Sequence, residues 1–212
     1  REPEREVAAE ALDEHADDLA CVLIDLMPHR VGLTPASGEF VRALREWTTR
    51  NGALLVLDEV ITFRSAYGGL QTHFGVKPDL SALGKMLGGG FPVGVVAGRA
   101  EVMDVMNPRG SHYLFPHSGT FSANPMSTTA GFVAMELFDE AAVARLNALA
   151  VRAMHGINEA IERTGARACV TGGGSMFRVH MKPEAPRNFR EAYTTEAEAG
   201  RLKVLLDHLF DA

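Results

Sequence analysis

The sequence has 212 residues, which is long enough for one domain and part of a second. Apolar residues make up 46% and charged residues 23%, the balance of an ordinary globular protein with a buried core. The formal net charge of −6 argues against nucleic acid or an anionic membrane as the main partner, because both attract basic patches. No apolar stretch is long enough to span a bilayer, and no signal-peptide pattern opens the chain.

The short apolar runs alternate with amphipathic stretches, which predicts an α/β fold with a mostly parallel sheet flanked by helices. Strands are predicted over residues 19–27, 53–57, 80–83, 93–97 and 176–181. Helices are predicted from Ser37 or Gly38 to Asn51, over about 99–106, from Asn124 to about 138, across 143–161 and from about Glu196. The change of pattern near residue 165 predicts a domain boundary there, between residues 1–164 and 165–212.

The two cysteines and the chain ends bear on cellular context. Cys21 and Cys169 lie far apart in apolar runs, so we interpret both as buried small hydrophobic residues rather than a disulfide pair. A protein without a disulfide framework is typical of the reducing cytoplasm, which is the expected location. The chain begins without methionine and stops within a helical pattern, so it is expected to be a piece of a longer protein.

A lysine in a glycine-rich segment is the first candidate for chemistry. Lys85 follows a predicted buried strand, with Gly84 before it and residues 88–90, all glycine, soon after it. Partial burial would favour the neutral amine, which is the form that attacks a carbonyl carbon. Glycines also allow the backbone to approach a flat cofactor closely. The alternative is an ordinary surface lysine in a glycine turn.

Two further candidates follow predicted strands or precede a predicted helix. Asp58 ends the strand over 53–57, where a carboxylate could hold a proton on a heterocycle nitrogen. A helix cap and a metal ligand are the alternatives for this acid. The hydroxyls around Thr120 lie just before the helix start at Asn124, where backbone amides suit a phosphate, although a plain capped helix entry fits equally well.

Several other classes of site fail their sequence tests. A dinucleotide fingerprint would need glycine where Val93 and Phe177 stand, and no P-loop or serine-hydrolase elbow occurs. No cysteine and histidine spacing fits a zinc site, so no metal is expected. His112 and His117 lie in a long predicted loop over 107–121, where a substrate contact stays open.

Three segments together resemble the class III aminotransferase family of fold-type I enzymes that use pyridoxal 5'-phosphate (PLP). The segments are LLVLDEVITFR at 54–64, PDLSALGKMLGGGFPVGVVAGR at 78–99 and HSGTFSANPMSTTAG at 117–131. Their order and spacing also match, and the resemblance covers essentially the whole chain. It is nearest to the branch of glutamate-1-semialdehyde aminomutase and β-amino-acid aminotransferases.

This resemblance implies a role for each candidate residue. Lys85 would form the Schiff base with PLP and then carry protons, and Asp58 would pair with the pyridine nitrogen. Val60 would pack on one face of the ring, and Thr120 would reach the phosphate bound to the neighbouring subunit of a homodimer with shared active sites. Residues 1–164 would be the C-terminal portion of the PLP-binding large domain, and 165–212 the beginning of a small α+β domain.

The implied activity is amino-group transfer between a small-molecule amino donor and a carbonyl acceptor. Two alternatives remain: intramolecular transfer, as in the aminomutase, and a non-catalytic PLP-fold module that serves dimerisation or binding. The sequence departs from the family pattern where Phe63 directly follows Thr62, since many members carry a glycine between them. The family's phosphate-binding loop and its arginine for a substrate carboxylate have no counterpart in these 212 residues.

Overall fold

The computed structural model describes residues 2–110 and 114–211. They divide into two compact units, one containing the chain up to Leu26 together with Ala36–Val143, and the other containing Met27–Pro35 together with the chain from Ala144. The boundary that the sequence predicts near residue 165, between two domains of the whole protein, stays a prediction.

The first unit is built around a four-stranded sheet with strand order β1-β2-β3-β4. The pairs β1/β2 and β2/β3 are parallel, whereas β3/β4 is antiparallel. The prediction of an α/β fold with a mostly parallel sheet is therefore confirmed. The strands are β1 Cys21–Ile24, β2 Leu54–Asp58, β3 Leu80–Gly84 and β4 Gly94–Gly98.

Most of the predicted helices are present with closely similar bounds, but the one predicted over about 99–106 is α-helical only over Ala100–Met103 and continues as a 3-10 turn. Among the described residues, three helices were not predicted. Two of the missed helices, α3 and α7, are single turns of four residues, too short to show a helical period. The helices are α1 Glu2–Asp13, α2 Gly38–Asn51, α3 Gln71–Phe74, α4 Ala100–Met103, α5 Pro125–Leu137, α6 Glu140–Thr164, α7 Phe189–Ala192 and α8 Glu196–Phe210.

Helix α2 shows the local signals from which a helix can be predicted: a capping side chain, a regular apolar face and a terminating glycine. The Ser37 side chain accepts a hydrogen bond from the Phe40 amide at 3.2 Å, which caps the first turn. Val41 and Leu44, three residues apart, both lie on the buried face of the helix. Gly52 then ends the helix with a left-handed φ of 70°, a conformation that glycine adopts without strain.

Strand β1 corrects the expectation of a long buried strand over 19–27. It has only four residues, it lies at the edge of the described sheet, and its Leu23 is 63% exposed. Cys21 is also exposed and Cys169 is half-buried, so the interpretation of both cysteines as buried residues is wrong. An apolar run indicates a strand but does not reveal whether a neighbour covers it.

The second unit contains the antiparallel hairpin of β5 Cys169–Gly173 and β6 Met176–His180. The sequence predicted β6 but not β5, whose terminal glycines resemble a loop. His180 is buried, with its Nε2 atom 3.1 Å from the Gly32 carbonyl, and burial lowers the pKa of this imidazole. At the start of α8, hydrogen bonds from Lys182 and the Thr195 amide lower the pKa of Glu198 to about 2.

A buried carboxylate, Asp79, ties the elements of the first unit together at the amino end of β3. Its Oδ2 atom accepts hydrogen bonds from the Leu55 amide at 2.7 Å and from Arg45 Nη1 at 2.8 Å. Its Oδ1 atom accepts from Arg99 Nη1 at 2.8 Å. Burial by itself raises the pKa of Asp79, but the bonds from Arg99, Leu55 and Arg45 outweigh burial and lower it. The network joins α2 and β2 to the residue after β4.

We expect Asp79→Asn to lower the free energy of unfolding of the full-length protein by about 2–4 kcal/mol, because it leaves two guanidinium groups without their buried carboxylate. Urea denaturation followed by circular dichroism measures this change. Glu101→Gln is the matched control, since the Glu101 side chain is 75% exposed and lies 3.5 Å from Arg99 Nε. That control should change stability by less than about 0.5 kcal/mol. Equal effects of the two variants would contradict the role given to Asp79.

Candidate active site

The candidate residues Asp58 and Lys85 lie at the same edge of the sheet. Asp58 is the last residue of β2 and pairs in parallel register with Ala82 of β3. Lys85 follows the end of β3 and begins a 3-10 turn that runs to Gly88. Because β2 and β3 are parallel, their carboxyl ends meet at one edge, which is where open α/β sheets bind their ligands.

Lys85 adopts a backbone conformation that is uncommon for a residue with a side chain. Its φ is 51°, in the left-handed region, and this strain must be held by the surrounding structure. Its side chain is exposed in the described part of the chain, so the predicted partial burial of Lys85 is wrong there. The sequence could not reveal this, because burial of a residue after a strand depends on which segments cover that edge.

The Asp58 carboxylate is half-buried, and one of its oxygens is used locally. Oδ1 accepts a hydrogen bond from the Val60 amide at 3.0 Å, whereas Oδ2 has no partner among the described residues. The Val60 side chain packs on Gly84, since its Cγ1 atom lies 3.5 Å from where a Cβ on that glycine would stand. Val60 therefore contacts the backbone immediately before Lys85.

The loop after Lys85 packs against α5 with backbone touching backbone. A Cβ added to Gly131 of α5 would lie 2.2 Å from the Leu87 carbonyl oxygen. A Cβ added to Gly89 would lie 2.3 Å from the Ala130 carbonyl oxygen, and Gly89 also has a φ of 58°. These two glycines allow the loop to lie directly on α5, and the contact fixes the segment that begins at Lys85.

The segment before α5 confirms the predicted helix start. The Asn124 side chain accepts hydrogen bonds from the amides at the start of α5, including that of Met126 at 2.9 Å. Thr120 lies in the exposed turn before this cap and makes no hydrogen bond to another described residue, so its phosphate contact stays a prediction. His117 is exposed in the same loop, and His112 lies outside the described residues.

Glu59 is the residue of this site to which the sequence assigned no direct role. Its side chain is 0% exposed, and its two carboxylate oxygens accept hydrogen bonds from the Leu70 amide at 2.7 Å and the Gln71 amide at 2.9 Å. Burial raises the pKa of Glu59, and the two amide bonds act in the opposite direction. The alternation of β2, with Leu55 and Leu57 buried, is the signal that could have placed Glu59 in the core.

Two other features of the described residues are relevant to the site. Within residues 2–110 and 114–211, no three histidine, cysteine, aspartate or glutamate side chains converge as metal ligands would. No helix in these ranges combines the length and the apolar character needed to cross a bilayer.

A comparison with protein families identifies the chain. The family model for Aminotransferase class-III matches residues 2–205. The chain belongs to this family. The glutamate-1-semialdehyde 2,1-aminomutase of Akkermansia muciniphila is 39% identical over 191 residues, covering 89% of this chain and 44% of that protein. The chain thus spans less than half the length of the curated relatives it matches.

Solved structures of transaminases and aminotransferases confirm the fold-type I prediction. An omega-transaminase from Sphaerobacter thermophilus superposes with a TM-score of 0.86 at 43% identity, covering 90% of this chain and 44% of that one. A transaminase with PLP bound gives 0.79 at 41% identity, covering 82% and 41%. A β-phenylalanine aminotransferase from Variovorax paradoxus gives 0.82 at 34% identity, covering 93% and 46%.

We expect Gly131→Ala to destabilise the full-length protein by about 1–3 kcal/mol, because the new methyl group would collide with the backbone of the loop that follows Lys85. Gly156→Ala is the matched control, since Gly156 lies in α6 with nothing within 4 Å of its added Cβ. That substitution should raise stability by up to about 1 kcal/mol through helix propensity. Thermal and urea unfolding measure both, and a stabilising Gly131→Ala would contradict the close packing of the loop on α5.

Proposed function

We propose that the protein transfers amino groups between small molecules and uses pyridoxal 5'-phosphate as its cofactor. The observation that carries this proposal is the placement of an exposed primary amine, Lys85, and a carboxylate, Asp58, at the same edge of the sheet. The membership in the class III aminotransferase family and the PLP bound to a transaminase of 41% identity support it.

The chemistry of these side chains fits the cofactor. An aldehyde needs a primary amine for covalent attachment, and the exposed Lys85 supplies one. A protonated pyridine nitrogen needs an acceptor, and Asp58 has one oxygen, Oδ2, that no described residue occupies. The flat ring needs an apolar surface, and Val60 offers one beside Gly84. When bound, the cofactor supplies an electron-accepting ring that stabilises negative charge on the carbon next to the amino group.

Each residue of this chain then has a defined task. Lys85 Nζ would hold the cofactor and, once substrate displaces it, would take a proton from the α-carbon of the substrate. Asp58 Oδ2 would accept a hydrogen bond from the protonated ring nitrogen, and the negative charge of Asp58 would keep that nitrogen protonated. Val60 would support one face of the ring, and Thr120 would donate its hydroxyl to the phosphate held by the neighbouring subunit of a homodimer. We also propose that the protein is located in the cytoplasm.

A second candidate function is intramolecular amino transfer, in which the same molecule takes back the amino group at the adjacent carbon. The 39% identity with a glutamate-1-semialdehyde 2,1-aminomutase favours this alternative. Both reactions use the same first half, so the tasks of Lys85 and Asp58 are the same in each. A non-catalytic PLP-fold module that serves dimerisation or binding is less well supported, because both reactive side chains are present.

We expect borohydride treatment of the full-length holo-protein to attach the cofactor permanently to Lys85, because hydride makes the link between the amine and the aldehyde carbon irreversible. Peptide mapping by mass spectrometry locates the added mass. Lys85→Arg, which keeps the charge but cannot form the link, should carry no label. Label on Lys77 or Lys203 of the unaltered protein would contradict the assignment.

We expect Asp58→Asn to retain the fold and the bound cofactor but to lower kcat by about 100- to 1,000-fold, because the amide no longer stabilises a protonated ring nitrogen. Steady-state kinetics and the visible spectrum of the bound cofactor measure the effect. Asp18→Asn, at an exposed acid after α1, serves as the control and should leave kcat unchanged. Unchanged turnover in Asp58→Asn would mean that another group holds the ring nitrogen.

A further inference from the structure

Glu59 is a fully buried carboxylate next to Asp58 that the proposed reaction does not use directly. Each of its oxygens accepts one backbone amide, Oε2 from Leu70 at 2.7 Å and Oε1 from Gln71 at 2.9 Å. A carboxylate has two acceptor oxygens, whereas a neutral amide side chain of the same shape has only one. Two amide donors, one for each oxygen, therefore require a glutamate rather than a glutamine at this position.

The segment that donates these bonds is shaped around the Glu59 carboxylate. Gly69 has a φ of 92°, and a Cβ added there would lie 2.8 Å from both Glu59 carboxylate oxygens. Any residue other than glycine at this position would strain the backbone and collide with the carboxylate. The turn of residues 69–71 is thus folded directly onto the Glu59 side chain.

The backbone of Glu59 joins the same turn to the strand that leads to Lys85. Its amide donates to the Ala82 carbonyl at 2.9 Å, which extends the β2/β3 pairing by one residue beyond Asp58. Its carbonyl accepts from the Phe63 amide at 3.1 Å. One residue therefore connects the end of β2, the middle of β3 and the turn of residues 69–71.

The burial pattern from Leu55 to Glu59 relates the orientation of the Glu59 side chain to that of the Asp58 side chain. Leu55, Leu57 and Glu59 are fully buried, whereas Asp58 and Val60 are half-buried. Because side chains alternate in direction along β2, an inward Glu59 continues the buried side of Leu55 and Leu57 and leaves Asp58 on the other side of the strand. Directional hydrogen bonds to Glu59 hold this orientation more tightly than an apolar side chain could.

We propose that Glu59 is a positioning residue. Its buried carboxylate binds the backbone amides in the turn of residues 69–71, and this contact sets the direction in which the Asp58 carboxylate points. This inference rests on the proposed function, because it gives Glu59 its effect on the reaction through Asp58. Glu59 itself touches neither substrate nor cofactor.

The test is Glu59→Gln in the full-length holo-protein, which keeps the side-chain shape but turns one acceptor into an NH₂ group facing an amide donor. We expect kcat to fall by about 10- to 100-fold with KM nearly unchanged. The visible absorption of the bound cofactor should shift in the same direction as in Asp58→Asn. Glu46→Gln, at an exposed position of α2, is the matched control and should change neither kcat nor the spectrum.

The double variant Asp58→Asn/Glu59→Gln decides whether Glu59 acts through Asp58. We expect its kcat to equal that of Asp58→Asn alone, because two residues that act as one unit have non-additive effects. Full multiplication of the two losses would overturn the inference. A Glu59→Gln protein with lowered stability but unchanged kcat and spectrum would also overturn it, since Glu59 would then serve the fold alone.

Gly69→Ala provides a second route if Glu59→Gln does not fold. This change keeps the carboxylate and its donors but pushes the turn away from them, so the same spectral shift and kcat loss are expected. Unchanged kinetics in Gly69→Ala would overturn the inference. Failure of the proposed function is distinguishable, because the unaltered protein would then carry no borohydride label on Lys85.

Discussion

The parallel pairing of β2 with β3 is the interaction on which the candidate active site depends. The register places Asp58 opposite Ala82, and the Glu59 amide extends it with a bond of 2.9 Å to the Ala82 carbonyl. Because the strands run in the same direction, Lys85 leaves β3 at the edge where Asp58 ends β2. A slip of one residue would exchange the faces of β2 and bring Asp58 into the core in place of Glu59.

Two buried carboxylates hold opposite ends of this strand pair by different means. At the amino end of β3, two guanidinium groups balance Asp79 and help to lower its pKa below the ordinary value despite burial. At the carboxyl end of β2, Glu59 has only neutral donors, so burial dominates and raises its pKa. Asp79 is held mainly by ion pairs with two arginines, whereas Glu59 is held by directional hydrogen bonds from backbone amides. The ion pairs stabilise the fold at one end, and the directional bonds orient a side chain at the other.

The strained backbone of Lys85 lies between residues that are closely packed on both sides. The loop that begins at Lys85 lies on the backbone of α5, where Gly131 leaves room for the Leu87 carbonyl. On its other side, Val60 packs against Gly84 immediately before the lysine. These contacts hold the backbone before and after Lys85, so its left-handed φ is part of the organisation of the site.

The sequence by itself determined the features that depend on near neighbours in the chain. The cap at Ser37, the helix start at Asn124 and the reactive types at 58 and 85 follow from local chemistry and periodicity, and the family pattern added their expected roles. Only the tertiary structure decided that Leu23 is exposed on an edge strand and that the Glu59 carboxylate accepts hydrogen bonds from the amides of residues 70 and 71. The physical reason is that burial and long-range hydrogen bonds depend on which distant segments meet, and no local pattern encodes that meeting.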